Sequence, residues 1–276
     1  MLLVGSGLTA IDVALTLTAR GQRQPIVALS RHSLLPRVHG VAVTAAASAA
    51  AAAVTRAILD GRGLARALRV ASAAIRDGVD PCALVDALRA DTPTVWRALS
   101  AVDRARFLAH LRASWDVHRH RLAPEVAAAV AALVDDGRLS VRAGRLIAVR
   151  PLDGRLLAYL RPRGARRSTA LRVDRIVNCT GPSVDVRRDA PPLVRALVAA
   201  GLARPCPLGL GLWTDADGRL VDAAGRARDS LRVLGPLRRG EAWESTAIPE
   251  LRLQAAALAD ALGPARAASH EPAAPR

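Results

Sequence analysis

Lysine is missing from this chain. All 40 basic residues are arginine, set against 24 acidic ones, and the net charge is +16 with a pI near 11.6. Aromatic side chains are almost missing too, at 2% of the sequence with one Phe and one Tyr. A nucleic-acid surface combines a basic stripe with aromatic platforms that stack on bases. Here the arginines are spread along the chain with few aromatics among them, which argues against nucleic acid as the primary partner. Arginine-only usage points instead to codon bias in a GC-rich genome. The three cysteines, Cys82, Cys179 and Cys206, are far apart and lack metal-ligand spacing. They form no Cys-x-x-Cys pair, so neither a metal site nor a redox disulfide is expected. Cys179 closes an apolar strand and reads as a small core residue. There is no Gly-x-Ser-x-Gly elbow, which removes the hydrolase nucleophile. No apolar run is long enough to span a bilayer: residues 41–54 are mostly Ala and Ser, and Arg56 closes them. Met1 leads into a strand without a basic leader, so no signal peptide and a cytoplasmic location are expected.

What is present begins at once. Residues 1–4 form an apolar strand that runs into Gly5-Ser6-Gly7-Leu8-Thr9-Ala10 and then into a helix to about Ala19. Gly5 permits a tight turn. Gly7 leaves room for a pyrophosphate to reach the backbone, and Ala10 is the small residue that lets helix and strand pack closely. The amides of Leu8 and Thr9 then open a helix N-terminus, where the dipole favours phosphate. Gly21 stops the helix and residues 25–30 form the second strand. Strand, turn, helix and strand together make a Rossmann-type dinucleotide site. The second strand ends in Ser30-Arg31-His32, without the carboxylate that would hold the ribose 2′-hydroxyl of NAD. Arg31 offers a planar fork to a 2′-phosphate, which favours NADP, with NAD as the alternative.

Residues 45–134 carry helical periodicity. Asp80-Pro81 and Thr92-Pro93 start two of its helices, and a further one carries Phe107, Leu108, Leu111 and Trp115. The period then changes. Residues 139–149 and 155–161 alternate as a hairpin about Asp153-Gly154, and residues 173–182 read as one strand ending in Thr180-Gly181. Helices are expected over 193–203 and 248–262, with a last strand over 231–237. Ser245 or Thr246 is a candidate N-cap for the final helix, and Gly263-Pro264 stops it. His118 and His120 are the candidates for proton carriers. As alternate residues of a helix they diverge, which argues against a shared metal.

Four segments bring these pieces together. Val4-Gly-Ser-Gly-Leu-Thr-Ala-Ile-Asp12 looks like an NADPH turn, and residues 107–121 look like the helical segment within the NADPH domain. Arg175-Ile-Val-Asn-Cys-Thr-Gly181 is similar to the strand that returns to an FAD domain. Residues 234–251, with Gly235, Pro236, Ser245 and Thr246, resemble a C-terminal flavin segment. The chain thus resembles the C-terminal part of bacterial FAD/NAD(P)-binding flavoproteins with two dinucleotide-binding domains, distant relatives of flavin monooxygenases and pyridine nucleotide-disulfide reductases. The resemblance implies an α/β, Rossmann-like FAD/NAD(P)-binding fold with a large helical insertion and without its N-terminal FAD half.

It implies an NAD(P)-binding domain over 1–177 with the insertion at about 45–135, a C-terminal completion of an FAD domain over 178–262, and a disordered tail over 263–276. The function implied is an oxidoreductase module passing hydride from NADPH to flavin, in a truncated flavoprotein. The family's earlier stretch, with its own glycine turn for FAD, is missing, so the chain is not expected to hold FAD alone; a separate FAD-domain segment is the possible protein partner. The alternative is a non-catalytic nucleotide-binding or interaction protein.

Overall fold

The computed structural model describes residues 1–263, and the tail expected beyond Gly263 lies outside them. The chain opens with β1 (Leu2–Val4), α1 (Leu8–Ala19) and β2 (Ile26–Ser30). A helical excursion follows: α2 (Ala45–Leu59), α3 (Gly63–Arg76), α4 (Pro81–Ala87), α5 (Thr92–Ala98) and α6 (Ala101–Arg106). A π-helical turn over Phe107–Leu111 leads into α7 (Arg112–Arg119), and α8 (Pro124–Asp135) ends the excursion. Asp80 caps α4 by accepting from the Cys82 and Ala83 amides, as Asp80-Pro81 predicts. Strands β3 (Leu139–Leu152), β4 (Arg155–Pro162), β5 (Thr169–Val173) and β6 (Ile176–Asn178) come next. Last are α9 (Pro192–Ala199), β7 (Arg219–Val221), β8 (Ala227–Arg232), a 3-10 turn over Gly235–Arg238 and α10 (Ile248–Leu262).

The described residues fall into two compact units. The first holds Met1–Ala90 and Leu99–Pro182. Its six strands run in the order β5-β4-β3-β2-β1-β6. β1, β2, β3 and β6 are parallel neighbours, while β3-β4-β5 is an antiparallel meander. Leu2-Leu3-Val4 and Ile26-Val27-Ala28-Leu29 show no polar alternation because both faces of this sheet are covered. Leu3, Ile26 and Ala28 pack with Ile11 and Ala14 of α1 and with Val130 and Leu133 of α8. Leu2, Val27 and Leu29 face the other way, onto Ala158, Leu160 and Val173 of the meander. The sheet curls to do this, and β3 is the strand that bends. Up to Ala143 it pairs with β2; from Gly144 it pairs with β4. A Cβ on Gly144 would stand 2.7 Å from the Arg161 carbonyl oxygen, so the bend needs glycine. Asp153 and Gly154 both take positive φ (46° and 71°) in the two-residue hairpin turn that Asp-Gly predicts.

The second unit holds Asp91–Ala98 and the described residues from Ser183 onward. Ala190, Val194, Ala203, Leu212 and Leu220 form its core. Trp96 of α5 stacks on Trp243 at 5.0 Å between ring centroids, and its indole N–H donates to the Gly240 carbonyl at 3.0 Å.

Four expectations are corrected. The strand expected over 173–182 is two elements, broken at Asp174-Arg175, because Val173 pairs with β4 and Ile176 with β1. The strand expected over 231–237 ends at Arg232, and a 3-10 turn starts at Gly235. The helix expected from 193 to 203 ends at Ala199. Neither Ser245 nor Thr246 caps α10: Ala247 occupies that position, without a side-chain hydrogen bond, and Ser245 is fully buried in the preceding turn.

Candidate dinucleotide site

The site is built at the C-terminal ends of the parallel strands. β1 leads through α1 to β2 on one side, and the chain returns as β6 on its other side. Such a reversal of strand order opens a crevice beyond the strand ends. Gly5 sits at its base with φ of +123°. Its amide donates to the Leu29 carbonyl at 2.8 Å, and the Cys179 amide donates to the Val4 carbonyl at 2.8 Å, so the turn is tied to both neighbours. A Cβ on Gly5 would lie 2.5 Å from the Cys179 carbonyl oxygen. The first glycine is therefore needed for close approach as well as for its dihedral.

Gly7 is the N-cap of α1, and a Cβ there would meet nothing within 4 Å. The Ala10 and Ile11 amides donate to the Gly7 carbonyl. Those of Leu8 and Thr9 have no partner among the described residues, and no acidic side chain occupies the first turn. Two donors at the positive end of a twelve-residue helix thus remain open to an anion. Ala10 is 1% exposed and packs in the core, the role its small size predicts.

A cleft of about 690 Å³ lies over this turn. Gly5, Ser6 and Gly7 line it from β1, Arg31 from the end of β2, and Thr180 from the end of β6. These five expected residues are brought together. Gly181 follows Thr180 with φ of +79°. Asn178 holds that corner, its side-chain oxygen accepting from the Thr180 amide at 3.1 Å and hydroxyl at 2.7 Å. Ser6 is buried; its hydroxyl meets Ser30 Oγ at 2.8 Å and the Leu34 carbonyl at 2.6 Å, and the Ser33 amide donates to Ser30 Oγ at 3.1 Å. Each hydroxyl has one proton. With Ser6 donating to the carbonyl, Ser30 donates to Ser6, and the chain of bonds locks the loop after β2 onto the glycine turn.

The cleft also has walls that sequence reasoning missed. Arg112, Asp116 and Val117 of α7 form one, and Gly144, Arg145 and Leu146 of β3 another. Arg112 and Asp116 pair at 3.4 Å on adjacent turns. Their i, i+4 spacing was the available signal. The π-helical turn before α7 inserts an extra residue per turn, a distortion often found at functional sites. His118 and His120 do not line the cleft; His118 Nδ1 is bonded to the Ser114 carbonyl at 2.7 Å, and His120 caps α7.

Burial, then Arg163 and Arg31, pushes the His32 imidazole below its ordinary pKa. Burial pushes the Cys179 thiol up, away from the reactive thiolate. Among the described residues no His, Cys, Asp or Glu cluster could hold a metal, and no helix is long and apolar enough to cross a membrane.

Gly235, Pro236, Ser245 and Thr246 belong to the second unit. Gly235 has φ of +79°, and its amide donates to the Gln254 side chain at 3.1 Å. Ser245 is closed off from any ligand surface, and Thr246 is exposed. They do not form a second glycine turn of the kind that holds a dinucleotide pyrophosphate.

Parallel strands in the order β3-β2-β1-β6, with a glycine turn at the switch point, define a Rossmann-like dinucleotide fold. Solved structures narrow the likeness. The chain is similar to L-lysine 6-monooxygenase from Pseudomonas syringae, with a TM-score of 0.57 and 18% identity over 95% of this chain. It is similar to an ornithine N-hydroxylase from Kutzneria sp. 744, whose structure holds reduced FAD, NADP+ and L-ornithine (TM-score 0.54, 14% identity, 95% of this chain). The ornithine hydroxylase of Pseudomonas aeruginosa in its reduced form gives a TM-score of 0.54 at 13% identity, again over 95% of this chain. The chain spans 52% of each of these three proteins. No protein-family model matches the sequence, and no curated protein matches it. The chain shares its Rossmann-like fold with about half of each of these solved monooxygenases, as the resemblance in the sequence implies.

Proposed function

We propose that this chain is the NADP-binding module of a flavin-linked oxidoreductase. The observation that carries the reading is the pair of unpartnered amides, Leu8 and Thr9, beside a glycine with an open Cβ direction at the cleft's floor. A pyrophosphate fits there: it accepts from those amides, and the space at Gly7 lets it reach the backbone. Arg31 meets the adenosine ribose, Thr180 borders the β6 side, and Ser6 holds the floor rigid through Ser30 and Leu34. NADPH supplies a hydride when bound. The residues present offer one glycine turn for one dinucleotide, so we assign them no flavin site and derive no step through flavin. A flavin acceptor would be held by a separate FAD-domain segment, and residues 178–262 would complete that domain. His118 and His120 take no part in this reading. The protein works in the cytoplasm on small nucleotide cofactors.

Calorimetric titration of the full chain with NADPH and NADH tests the reading. Micromolar or tighter NADPH binding is expected; a folded sample that takes up neither nucleotide rejects it. The single glycine turn also favours a second reading, a protein that binds the nucleotide and turns nothing over. NADPH oxidation by the chain mixed with a separate FAD-domain segment supports the oxidoreductase module, and NADPH binding without oxidation in the same mixture supports the second reading.

A further inference from the structure

Arginine is spread along the whole sequence, yet residues 142–175 hold ten of the 40, against two aspartates. They cover most of the β3-β4-β5 meander. One face of the meander is core: Leu156, Ala158 and Leu160 of β4 pack inward with Leu2, Val27 and Leu29. Side chains alternate along a strand, so Arg155, Leu157, Tyr159 and Arg161 point the other way. Residues directly opposite each other across an antiparallel pair share a face, and the register therefore fixes the rest of this outer surface. Arg150, Leu157 and Arg172 form one row across the three strands. Ala148, Tyr159 and Ala170 form the next, and Arg145 and Arg161 the one after. Along β4 the rows lie about 7 Å apart, the rise of two strand residues. We propose that this face binds single-stranded nucleic acid, with a base stacked on Tyr159 and the arginine rows meeting the phosphates. It is an accessory surface, separate from the dinucleotide cleft.

Tyr159 is the only tyrosine in the chain, and it stands at the centre of the grid. Its neighbours on both adjoining strands are exposed alanines, so a flat base has room to reach the ring from either side. The Arg150 guanidinium lies 5.8 Å from the ring centroid, within cation–π range. Arg145, Arg150, Arg161 and Arg172 are exposed around it. Arg163, Arg166 and Arg167 continue the positive surface into the turn between β4 and β5. Arg145 and Arg161 stand directly opposite each other, and like charges in that position destabilise a sheet. Sheet stability therefore does not account for the arrangement, whereas a polyanion complements it. Chemistry then chooses among polyanions. A duplex keeps its bases stacked on one another, out of reach of a ring on a sheet face, while an unpaired base is open to stacking. An acidic peptide or an anionic lipid surface would meet the arginines and leave the ring unused. An aromatic platform among basic side chains is what a single strand needs, because stacking tolerates every base and the charges follow the backbone. Arg150, Tyr159 and Arg172 do not line the cleft over the glycine turn, so the two sites stand or fall separately.

The test follows the fluorescence anisotropy of a labelled oligothymidylate of about 16 nucleotides, the upper site size of one single-strand-binding fold, on addition of the full chain. The wild type is expected to bind it more tightly than a duplex of the same length at equal salt. Tyr159→Ala is expected to weaken it about 5- to 100-fold, the range for one lost base stack, and Tyr159→Phe, which keeps a ring, to match the wild type. Arg150→Gln/Arg172→Gln is expected to flatten the plot of log affinity against log salt by about 1.4, at about 0.7 for each phosphate contact, while Tyr159→Ala leaves that slope unchanged. NADPH titration of the variants is expected to match the wild type. Loss of NADPH in step with the oligonucleotide would mark a folding defect and overturn the assignment. Duplex or phosphatidylserine vesicles bound as tightly as the single strand overturn it, as do a Tyr159→Ala variant that binds like the wild type and a wild type that takes up no oligonucleotide. Should Tyr159→Ala show a lowered urea midpoint, the slope of the arginine variant decides. A wild type that binds the oligonucleotide and not NADPH removes the reading of the cleft and leaves this one standing.

Discussion

Gly5 and Gly7 stand two residues apart under opposite constraints. Gly5 has a left-handed dihedral and a neighbouring carbonyl where its Cβ would be. Gly5→Ala is therefore expected to destabilise the first unit by about 2–4 kcal/mol, combining backbone strain with overpacking. Gly7 has an ordinary φ of −82° and empty space before it. Gly7→Ala is expected to shift stability by no more than about 1 kcal/mol, the usual cost of alanine at an N-cap. It should nevertheless weaken NADPH at least about tenfold, because the added methyl fills the space given to the pyrophosphate. Urea unfolding and calorimetric titration of both variants check the contrast, and equal effects on stability would contradict it. His32 carries the pH dependence at this scale. Its folded pKa lies below its ordinary value, so the unfolded chain binds more protons near and below pH about 6.5, and stability from this group rises with pH through that window. An anionic nucleotide bound beside Arg31 would offset Arg163 and Arg31 and move the pKa back up. NADPH binding near pH 6 should then take up protons, seen as a dependence of calorimetric heat on buffer ionisation enthalpy, and His32→Asn should take up fewer.

At the scale of elements, long-range pairing separates what was legible from what was not. β1, α1 and β2 were readable because an unbroken apolar run bounded by glycine suits a parallel strand buried on both faces. The β3-β4 hairpin was readable because Asp153-Gly154 satisfies two positive dihedrals at once. The break between β5 and β6 was not, since apolar spacing continues across Asp174-Arg175 and only the partner strand changes. The π-helical turn has the composition of an α-helix. Ser245 and Thr246 have capping side chains, but α10 starts two residues later, and burial of Ser245 decides otherwise. Arg112, Asp116 and Arg145 reach the cleft only through tertiary packing. α5 shows the same limit. Its sequence reads as one more helix of the excursion, yet Trp96 is 3% exposed in the second unit, stacked on Trp243, which Arg239 covers at 4.3 Å. Trp96→Ala is expected to destabilise that unit by about 3–5 kcal/mol. Trp96→Phe, which keeps a ring but loses the donor to Gly240, should cost less. Denaturant unfolding followed by far-UV circular dichroism checks the order of the two.

For the whole molecule, the excess of arginine over carboxylate sets two responses of opposite sign. Asp185 and Asp222 sit beside guanidinium and are held ionised: hydrogen bonding from Arg187 lowers Asp185, and backbone bonding at Arg226 lowers Asp222. Folded pKa values below the unfolded ones stabilise the protein above the usual carboxylate range, and that stability is lost as pH falls through the folded values. At pH 7 the net charge is +16, and self-repulsion among the arginines opposes the compact state. Sodium chloride shortens the range of this repulsion, to about 10 Å at 0.1 M and about 3 Å at 1 M. The melting temperature at pH 7.5 should therefore rise as sodium chloride goes from about 0.05 to about 0.5 M. The same screening weakens the attraction between an anionic nucleotide and a cleft bordered by Arg31 and Arg145. NADPH affinity should fall over the same range, and NADPH should lose more than NADH, which lacks the extra phosphate. Thermal melts and titrations on one salt series read both slopes. A melting temperature that fell with salt would mean that attractive ion pairs outweigh the repulsion, and equal slopes for the two nucleotides would mean that the 2′-phosphate meets no concentrated positive charge.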